Sequence, residues 1–173
     1  MSRYKIPQKP GSKYITPEGK IKLHAEFKFL WSSKRPEVTA ALAAAAAEGD
    51  RSENAEYIYR KKQLREIDAR IHHLKERLDH IVVVDSSPND TSRVFFGAWV
   101  RLEDEEGTVY DYRIVGPDEF EPAKGLISID SPLARALMKK TVGDEVVVKR
   151  PRGDAVFTIC RIQYGSLENS DKG

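Results

Sequence analysis

Two carboxylates lie three residues apart in an acidic turn of the sequence, Gly49-Asp50-Arg51-Ser52-Glu53-Asn54-Ala55-Glu56-Tyr57. At that spacing Asp50 and Glu53 can project toward the same end of a helical structure. Mg²⁺ accepts carboxylate oxygens while keeping several of its waters, so the pair could hold this ion weakly. Two carboxylates make an incomplete metal site. If a second macromolecule supplied the remaining ligands and another ion, the arrangement would suit two-metal hydrolysis of a phosphodiester bond.

The same residues also fit an ordinary helix start. The segment Asp50-Arg51-Ser52-Glu53 matches a capping box, with Asp50 as the N-cap residue and Glu53 at the third helical position. A capping box needs neither a metal ion nor a partner. The residue pattern alone leaves both interpretations open.

Four basic residues follow shortly after the acidic turn: Arg60, Lys61, Lys62 and Arg65. On the solvent face of a helix they would be hydrated, and acids such as Glu66 could pair with some of them. Clustered behind a carboxylate pair, they could instead hold a nucleic-acid backbone while the carboxylates address a phosphodiester bond.

Two helical segments must position the acidic turn. Thr16-Pro17-Glu18 is typical of a helix start, and Gly49 is typical of a helix end. Pro36 lies between them and is expected to bend the first helix or to divide it in two. The second helix carries an apolar seam with steps of three and four from Leu64 onward, typical of a coiled coil. Its members are Tyr57, Leu64, Ile67, Ile71, Leu74, Leu78 and Ile81.

The tight turn after Gly49 requires the two helices to run antiparallel. We therefore predict a coiled-coil hairpin over residues 15–84, with its acidic tip at residues 49–56. The second helix should reach roughly 45 Å. An alanine-rich run over residues 40–47 should let the two helices approach closely near the tip.

The sequence changes character after the second helix. Residues 85–92 are rich in Ser, Asp and Pro and are predicted to form a linker. Residues 93–165 contain several β-rich runs and one short helix that begins near Ser131-Pro132, which predicts a small sheet domain. Residues 1–14 and 166–173 are predicted to be flexible tails, the first of them basic. The predicted fold class is α+β.

Composition excludes several classes of protein. The chain has 173 residues, of which 40% are hydrophobic and 32% charged, which fits a soluble globular protein. It lacks both a long apolar span and the apolar core of a signal peptide, so we expect a cytoplasmic protein that binds no membrane. Cys160 has no disulfide partner and is expected to be buried. Residues 1–84 carry 17 Lys and Arg against 11 Asp and Glu, so this half is expected to meet polyanions.

Several separated blocks of the chain resemble the bacterial Gre family of transcript-cleavage factors, and within it the GreB branch. The resemblance covers residues 15–164. Its blocks are the acidic turn over residues 49–57, the basic run Lys61-Lys62-Gln63-Leu64-Arg65-Glu66-Ile67-Asp68, the run Val94-Phe95-Phe96-Gly97-Ala98-Trp99-Val100, and the run Ile127-Ser128-Ile129-Asp130-Ser131-Pro132-Leu133-Ala134-Arg135-Ala136-Leu137.

The resemblance implies that the coiled coil enters the secondary channel of bacterial RNA polymerase, while an FKBP-like C-terminal domain docks on the outer rim. It also implies that the factor is not itself an enzyme, because the polymerase hydrolyses the extruded 3′ end of a backtracked RNA. In this family Asp50 and Glu53 would help to hold the second Mg²⁺ of the polymerase active centre. The free protein is not expected to bind that ion tightly.

The resemblance assigns roles to further residues. Ser52 and Asn54 match the family's tip and would orient water or RNA. Contact with the RNA 3′ segment is implied for Arg60, Lys61, Lys62 and Arg65. Docking on the polymerase is implied for Asp130, Ser131 and Pro132.

Two other functions compete with transcript cleavage. A relative that blocks the same channel would inhibit the polymerase, although an intact Asp50 and Glu53 pair argues against this. An FKBP-like fold could belong to a peptidyl-prolyl isomerase, but fold does not imply activity. The sheet domain shows no nucleophile paired with a base, no glycine-rich phosphate loop and no Cys/His metal set, so we interpret it as a binding module. We expect a monomer.

Overall fold

The structure is a computed structural model that describes residues 11–165. The chain divides into two compact units. One is Glu18–Ile81, and the other consists, within the described residues, of 11–17 together with 82–165. The predicted C-terminal tail and most of the predicted N-terminal tail lie outside the described residues. In the described part of the chain, no helix is both long and apolar enough to cross a membrane.

The first unit is helical. Helix α1 spans Pro17–Phe29, a π-helical turn spans Leu30–Lys34, α2 spans Arg35–Ala47 and α3 spans Ala55–His80. The irregular turn ends two residues before Pro36, where the sequence predicted a bend or a break. There the Arg35 N–H donates to the Leu30 carbonyl, five residues back. Because Pro36 has no N–H and its ring crowds the preceding turn, the widened turn accommodates it without ending the helix.

Helices α2 and α3 pack antiparallel, as predicted. The pairs that join the two sides run in opposite order along the chain, with Arg70 on Glu26 at 2.7 Å and Arg35 on Asp68 at 2.7 Å. In the predicted seam Ile67, Ile71 and Leu74 are buried, while its other members are half-buried. The core of this unit consists of Val38, Ile67 and Ile71, with Phe27, Leu30 and Leu64 packed against it.

The second unit contains a five-stranded sheet, one short α-helix and the 3₁₀ turns Pro117–Glu119 and Pro122–Lys124. Two short strands, β1 (Tyr14–Ile15) and β2 (Val82–Val83), precede the main sheet in the chain. The main sheet consists of β3 (Trp99–Asp104), β4 (Val109–Val115), β5 (Leu126–Ser128), β6 (Glu145–Val148) and β7 (Ala155–Gln163), and helix α4 spans Pro132–Leu137. Its strand order is β5-β4-β3-β7-β6, and only the β4 and β5 pair is parallel. Residues 85–92, the predicted linker, contain no helix or strand.

The core of this sheet unit comes from the inward residues of alternating strands and from α4, including Val100, Leu102, Ile114, Leu137 and Ile159. Cys160 follows Ile159 and is exposed, so the expectation of a buried thiol is wrong. Successive side chains in a strand point to opposite faces, and the burial of Ile159 places Cys160 outside.

Part of the predicted N-terminal tail is ordered. Strand β1, Tyr14–Ile15, pairs in parallel with β2, Val82–Val83. The Ser12 N–H donates to Asp130 at 2.8 Å. The prediction of a structureless tail is therefore wrong for residues 11–14. A two-residue strand is too short to show an apolar period, so the sequence carried no signal for it.

Glu119 fastens the same segment to the sheet unit. Its carboxylate accepts hydrogen bonds from the N–H and the hydroxyl of Thr16 and from the Gly116 N–H. Ile15 is fully buried and Thr16 is 2% exposed. Residues 15–17 and 82–84 consequently belong with the sheet unit, which makes the helical unit shorter than the predicted hairpin of residues 15–84.

Candidate functional site

The acidic turn forms the loop between α2 and α3. Gly49 follows the end of α2 with a φ of 140°, a conformation that favours glycine. Asp50 then closes a short side-chain turn, because its Oδ1 accepts hydrogen bonds from the Ser52 N–H at 2.9 Å and the Ser52 hydroxyl at 2.8 Å. The backbone hydrogen bond from Ser52, followed by the hydroxyl bond, lowers the pKa of the Asp50 carboxyl below its ordinary value. Asp50 is therefore an exposed carboxylate at neutral pH.

The capping box predicted at Asp50 is wrong. Helix α3 begins at Ala55, and its N-cap residue is Asn54, whose Oδ1 accepts from the Tyr57 N–H at 3.0 Å. The turn at Asp50 uses three more residues before the helix can start. Glu53 thus precedes the cap instead of occupying the third helical position, and its side chain is exposed. Starting later, α3 has 26 residues and is about 39 Å long, shorter than predicted.

Asn54 also joins the two sides of the tip. Its Nδ2 donates to the Ala45 carbonyl of α2 at 2.8 Å, while its Oδ1 caps α3. Ala45 is buried at this crossing, which fits the predicted close approach of the alanine-rich run. Sequence reasoning assigned Asn54 to the tip but missed this bridge. The available signal was an Asn three residues before Tyr57, which is typical of an N-cap.

Asn54→Ala should destabilise the tip by about 1–2 kcal/mol, since it removes a helix cap and the side-chain hydrogen bond to the Ala45 carbonyl, which keeps only the Glu48 N–H at 3.3 Å. Urea unfolding followed by far-UV circular dichroism measures the loss. Asn54→Asp is the matched control: it keeps the capping oxygen, loses the donor and should fall between wild type and Asn54→Ala. Equal stability of all three proteins would contradict the bridging role.

The predicted metal-binding pair, Asp50 and Glu53, would give a metal ion only two carboxylates. Glu53 has no hydrogen-bond or ion-pair partner among residues 11–165, and Asp50 Oδ2 accepts no hydrogen bond from them. No cluster of three or more His, Cys, Asp or Glu side chains able to hold a metal occurs among the described residues. Two exposed carboxylates are too few to form a complete Mg²⁺ site by themselves.

The four predicted basic residues differ in their pairing. Arg60 is half-buried and contacts Glu56 at 2.7 Å and Gln63 at 3.1 Å. Lys62 lies 3.9 Å from the Glu66 carboxylate, at the limit of an ion pair. Lys61 and Arg65 form no ion pair with any residue that the structure describes. The strongest free positive charge of the group therefore lies at Lys61 and Arg65.

The three predicted docking residues lie where β5 leads into α4. Ser131 caps that helix, accepting from the Ala134 N–H at 3.1 Å. Asp130 is half-buried and accepts from the Ser12 N–H, whereas Pro132 is exposed at the first turn. Asp130 thus has a structural contact in addition to the predicted docking role, which stays a prediction.

Two parts of the amino-acid sequence match the two domains of one protein family. Residues 13–83 match the N-terminal domain of transcription elongation factors, and residues 88–164 match the C-terminal domain of the transcription elongation factors GreA and GreB. Together the two matches span most of the chain. The chain belongs to the GreA/GreB family of transcription elongation factors.

Three similar relatives within that family share the name GreB. Transcription elongation factor GreB of Xanthomonas axonopodis pv. citri is 56% identical over 96% of this chain and 100% of the relative. GreB of Pseudomonas aeruginosa is 54% identical over 95% of this chain and 98% of the relative. GreB of Haemophilus influenzae is 56% identical over 88% of this chain and 97% of the relative. The chain is therefore GreB-like along nearly its full length.

Two solved structures of the family were also matched. GreA factor homolog 1 of Thermus thermophilus is 24% identical, with 87% of this chain and 97% of that chain covered and a TM-score of 0.40. A GreA/GreB factor of Nitrosomonas europaea is 19% identical, with 88% and 100% covered and a TM-score of 0.40.

Proposed function

We propose that this chain stimulates RNA polymerase to cleave the 3′ end of backtracked RNA and so rescues arrested elongation complexes. The helical unit would enter the secondary channel tip first, and the polymerase would perform the hydrolysis. One observation carries the proposal: an ionised, exposed Asp50 stands with Glu53 in the loop that ends a pair of packed helices, with unpaired basic residues behind it. A carboxylate pair with no pocket of its own needs an active centre supplied by a partner.

Asp50 and Glu53 are the residues that would hold Mg²⁺ together with ligands from the polymerase. When bound, this ion supplies activation of a water and neutralisation of charge on the phosphodiester oxygens. The chain's own contribution is to present the carboxylates in a fixed place. Ser52 orients the Asp50 carboxylate through two hydrogen bonds, and Asn54 ties the loop to both helices.

We propose that the basic residues behind the tip hold the extruded RNA 3′ segment. Lys61 and Arg65 are one helical turn apart and have no competing carboxylate in the described chain, so they should contribute more than the paired Arg60 and Lys62. Their effect must weaken as salt rises, because a phosphate contact releases counterions.

Reversing the charge of both residues, Lys61→Glu with Arg65→Glu, should lower cleavage at least about tenfold at low salt. The difference from wild type should narrow as KCl increases. Cleavage of labelled RNA in a backtracked complex across a salt series measures this. Lys75→Glu, an exposed lysine further along the same helix, is the control and should stay near wild type. An equal effect at every salt concentration would remove the RNA-contact role.

We infer that the sheet unit has the FKBP-like architecture and serves to dock on the polymerase through Asp130, Ser131 and Pro132. Pro132 is exposed beside the capped start of α4, and the outward position suits a contact. Isomerase activity has no support from the residues, because no catalytic set was identified in the sheet sequence. Pro132→Gly should weaken polymerase binding while leaving the tip intact.

The competing proposal is a channel inhibitor. An inhibitor would slow nucleotide addition and release no 3′ fragments. Two exposed carboxylates of which one has a lowered pKa favour cleavage instead, because they add charge where metal ligands are needed. Measuring nucleotide addition and fragment release on the same complexes separates the two functions.

A further inference from the structure

Two positive side chains near the tip lie beside the same aromatic ring. The Arg51 guanidinium carbon is 5.9 Å from the centroid of the Tyr57 ring, and the Lys61 ammonium nitrogen is also 5.9 Å from it. Neither cation has a carboxylate partner among the described residues. Sequence reasoning gave no separate role to Arg51, and it placed Tyr57 in the helix seam and at the end of the acidic turn.

A cation that contacts an aromatic ring keeps its net charge, whereas a cation paired with a carboxylate does not. An aromatic ring attracts a cation through its quadrupole, but it adds no negative charge. A carboxylate partner neutralises the cation, as Glu56 does for Arg60. The Tyr57 ring therefore gathers two cations without cancelling them, leaving both able to bind an anion.

The ring itself is held in place. The Tyr57 N–H donates to Asn54, and Asn54 donates in turn to the Ala45 carbonyl of α2. Tyr57 is half-buried, so one side of it rests on the protein. Arg51 is also held in place, because it lies in the loop that the hydrogen bonds from Ser52 to Asp50 close. Both cations thus approach the ring from fixed backbone positions.

We propose that Arg51, Tyr57 and Lys61 form a phosphate clamp that holds the backbone of the RNA beside the carboxylate pair. The clamp rests on the proposed function, which it deepens by naming how the RNA is positioned. Arg51 directly follows Asp50 in the chain, and Lys61 lies about 6 Å along α3 from Arg65. A single strand could therefore meet Arg51, Lys61 and Arg65 in succession. Arg51 and Tyr57 act here as positioning residues.

RNA is favoured over an acidic protein surface as the occupant. Asp50 and Glu53 flank Arg51 in the loop, so a carboxylate-rich protein surface laid over Arg51 would also face two like charges. A phosphate chain can meet the clamp while the carboxylates face a metal ion. With an acidic protein surface as the partner, no metal ion would offset the repulsion from Asp50 and Glu53.

The test uses the full chain and a backtracked elongation complex with labelled RNA. Arg51→Ala should raise the half-saturating concentration for cleavage roughly tenfold and flatten its dependence on log salt by about 0.7. Tyr57→Leu should act similarly, and the double variant should be no worse than either single one, because ring and cation work as one unit. Tyr57→Phe keeps the ring and should match wild type, and Arg51→Lys should restore most of the loss.

The outcomes separate the clamp from the function on which it rests. If the wild-type chain releases no fragments, both the proposed function and the clamp are overturned. If wild type cleaves and Arg51→Ala matches it at every salt concentration, the clamp alone is overturned. If Arg51→Ala instead weakens binding to polymerase that carries no RNA, Arg51 contacts the protein and the phosphate assignment is wrong. Unchanged binding to that polymerase, with the flattened salt slope, supports the clamp.

Discussion

Asp50→Asn is expected to reduce stimulated RNA cleavage by at least about 100-fold, the scale expected when support for a catalytic metal ion is lost. The substitution is chosen because an amide oxygen can still accept the two hydrogen bonds from Ser52. The loop should therefore keep its shape while the negative charge disappears. Glu53→Gln should give a loss of similar size, since we propose that the two carboxylates hold the same ion.

Controls assign this loss to the charge itself. Glu48→Gln removes an exposed carboxylate just before Gly49 and should leave cleavage near wild type. Competition for polymerase should be equal for wild type, Asp50→Asn and Glu48→Gln, because none of these substitutions changes the sheet unit, which we propose to dock. Cleavage by Asp50→Asn at the wild-type rate would return Asp50 to a purely structural role in the turn.

Glu119→Ala should destabilise the sheet unit by about 3 kcal/mol, because one carboxylate accepts hydrogen bonds from two backbone N–H groups and a hydroxyl. For a unit of this size the midpoint temperature would fall by roughly 15 °C. Scanning calorimetry measures the fall. Hydrogen exchange should also accelerate at Val82 and Val84, whose N–H groups donate to Lys13 and Ile15 across the β1 and β2 pair.

A second variant, Gly116→Ala, disturbs the packing of the N-terminal segment sterically. Gly116→Ala would place a Cβ atom 2.2 Å from the Tyr14 carbonyl oxygen, so the N-terminal segment must move away. Glu121→Ala is the matched control, since its carboxylate makes an exposed ion pair with Lys124 at 2.9 Å and such pairs contribute little. If Glu119→Ala and Glu121→Ala have the same midpoint temperature of unfolding, Glu119 does not hold the N-terminal segment.

Long periodic elements were predictable from the sequence. The apolar steps of α3 correctly predicted which residues face the neighbouring helix, and Ile67, Ile71 and Leu74 are buried as expected. The start of α4 also lies at its predicted place, because Ser131 and Pro132 mark it. These features depend on local patterns that extend over several turns or strands.

Features that depend on a few distant atoms were not predictable. Asp50 and Asn54 are both good cap residues, and only the path of the loop after Gly49 decides that Asn54 caps α3. The ordered conformation of residues 11–16 depends on Glu119, which is 103 residues from Thr16 along the chain. The pairing of Arg60 with Glu56 and the freedom of Lys61 likewise follow from side-chain geometry.

The most direct test mixes the wild-type chain with an arrested, backtracked elongation complex that carries RNA labelled at its 3′ end, in the presence of Mg²⁺. We predict rapid release of short labelled 3′ fragments, followed by renewed elongation when nucleotides are added. Asp50→Asn under the same conditions should bind the complex and release almost none. Wild-type binding without fragment release would contradict the claim that the tip carboxylates of this chain activate cleavage by the polymerase.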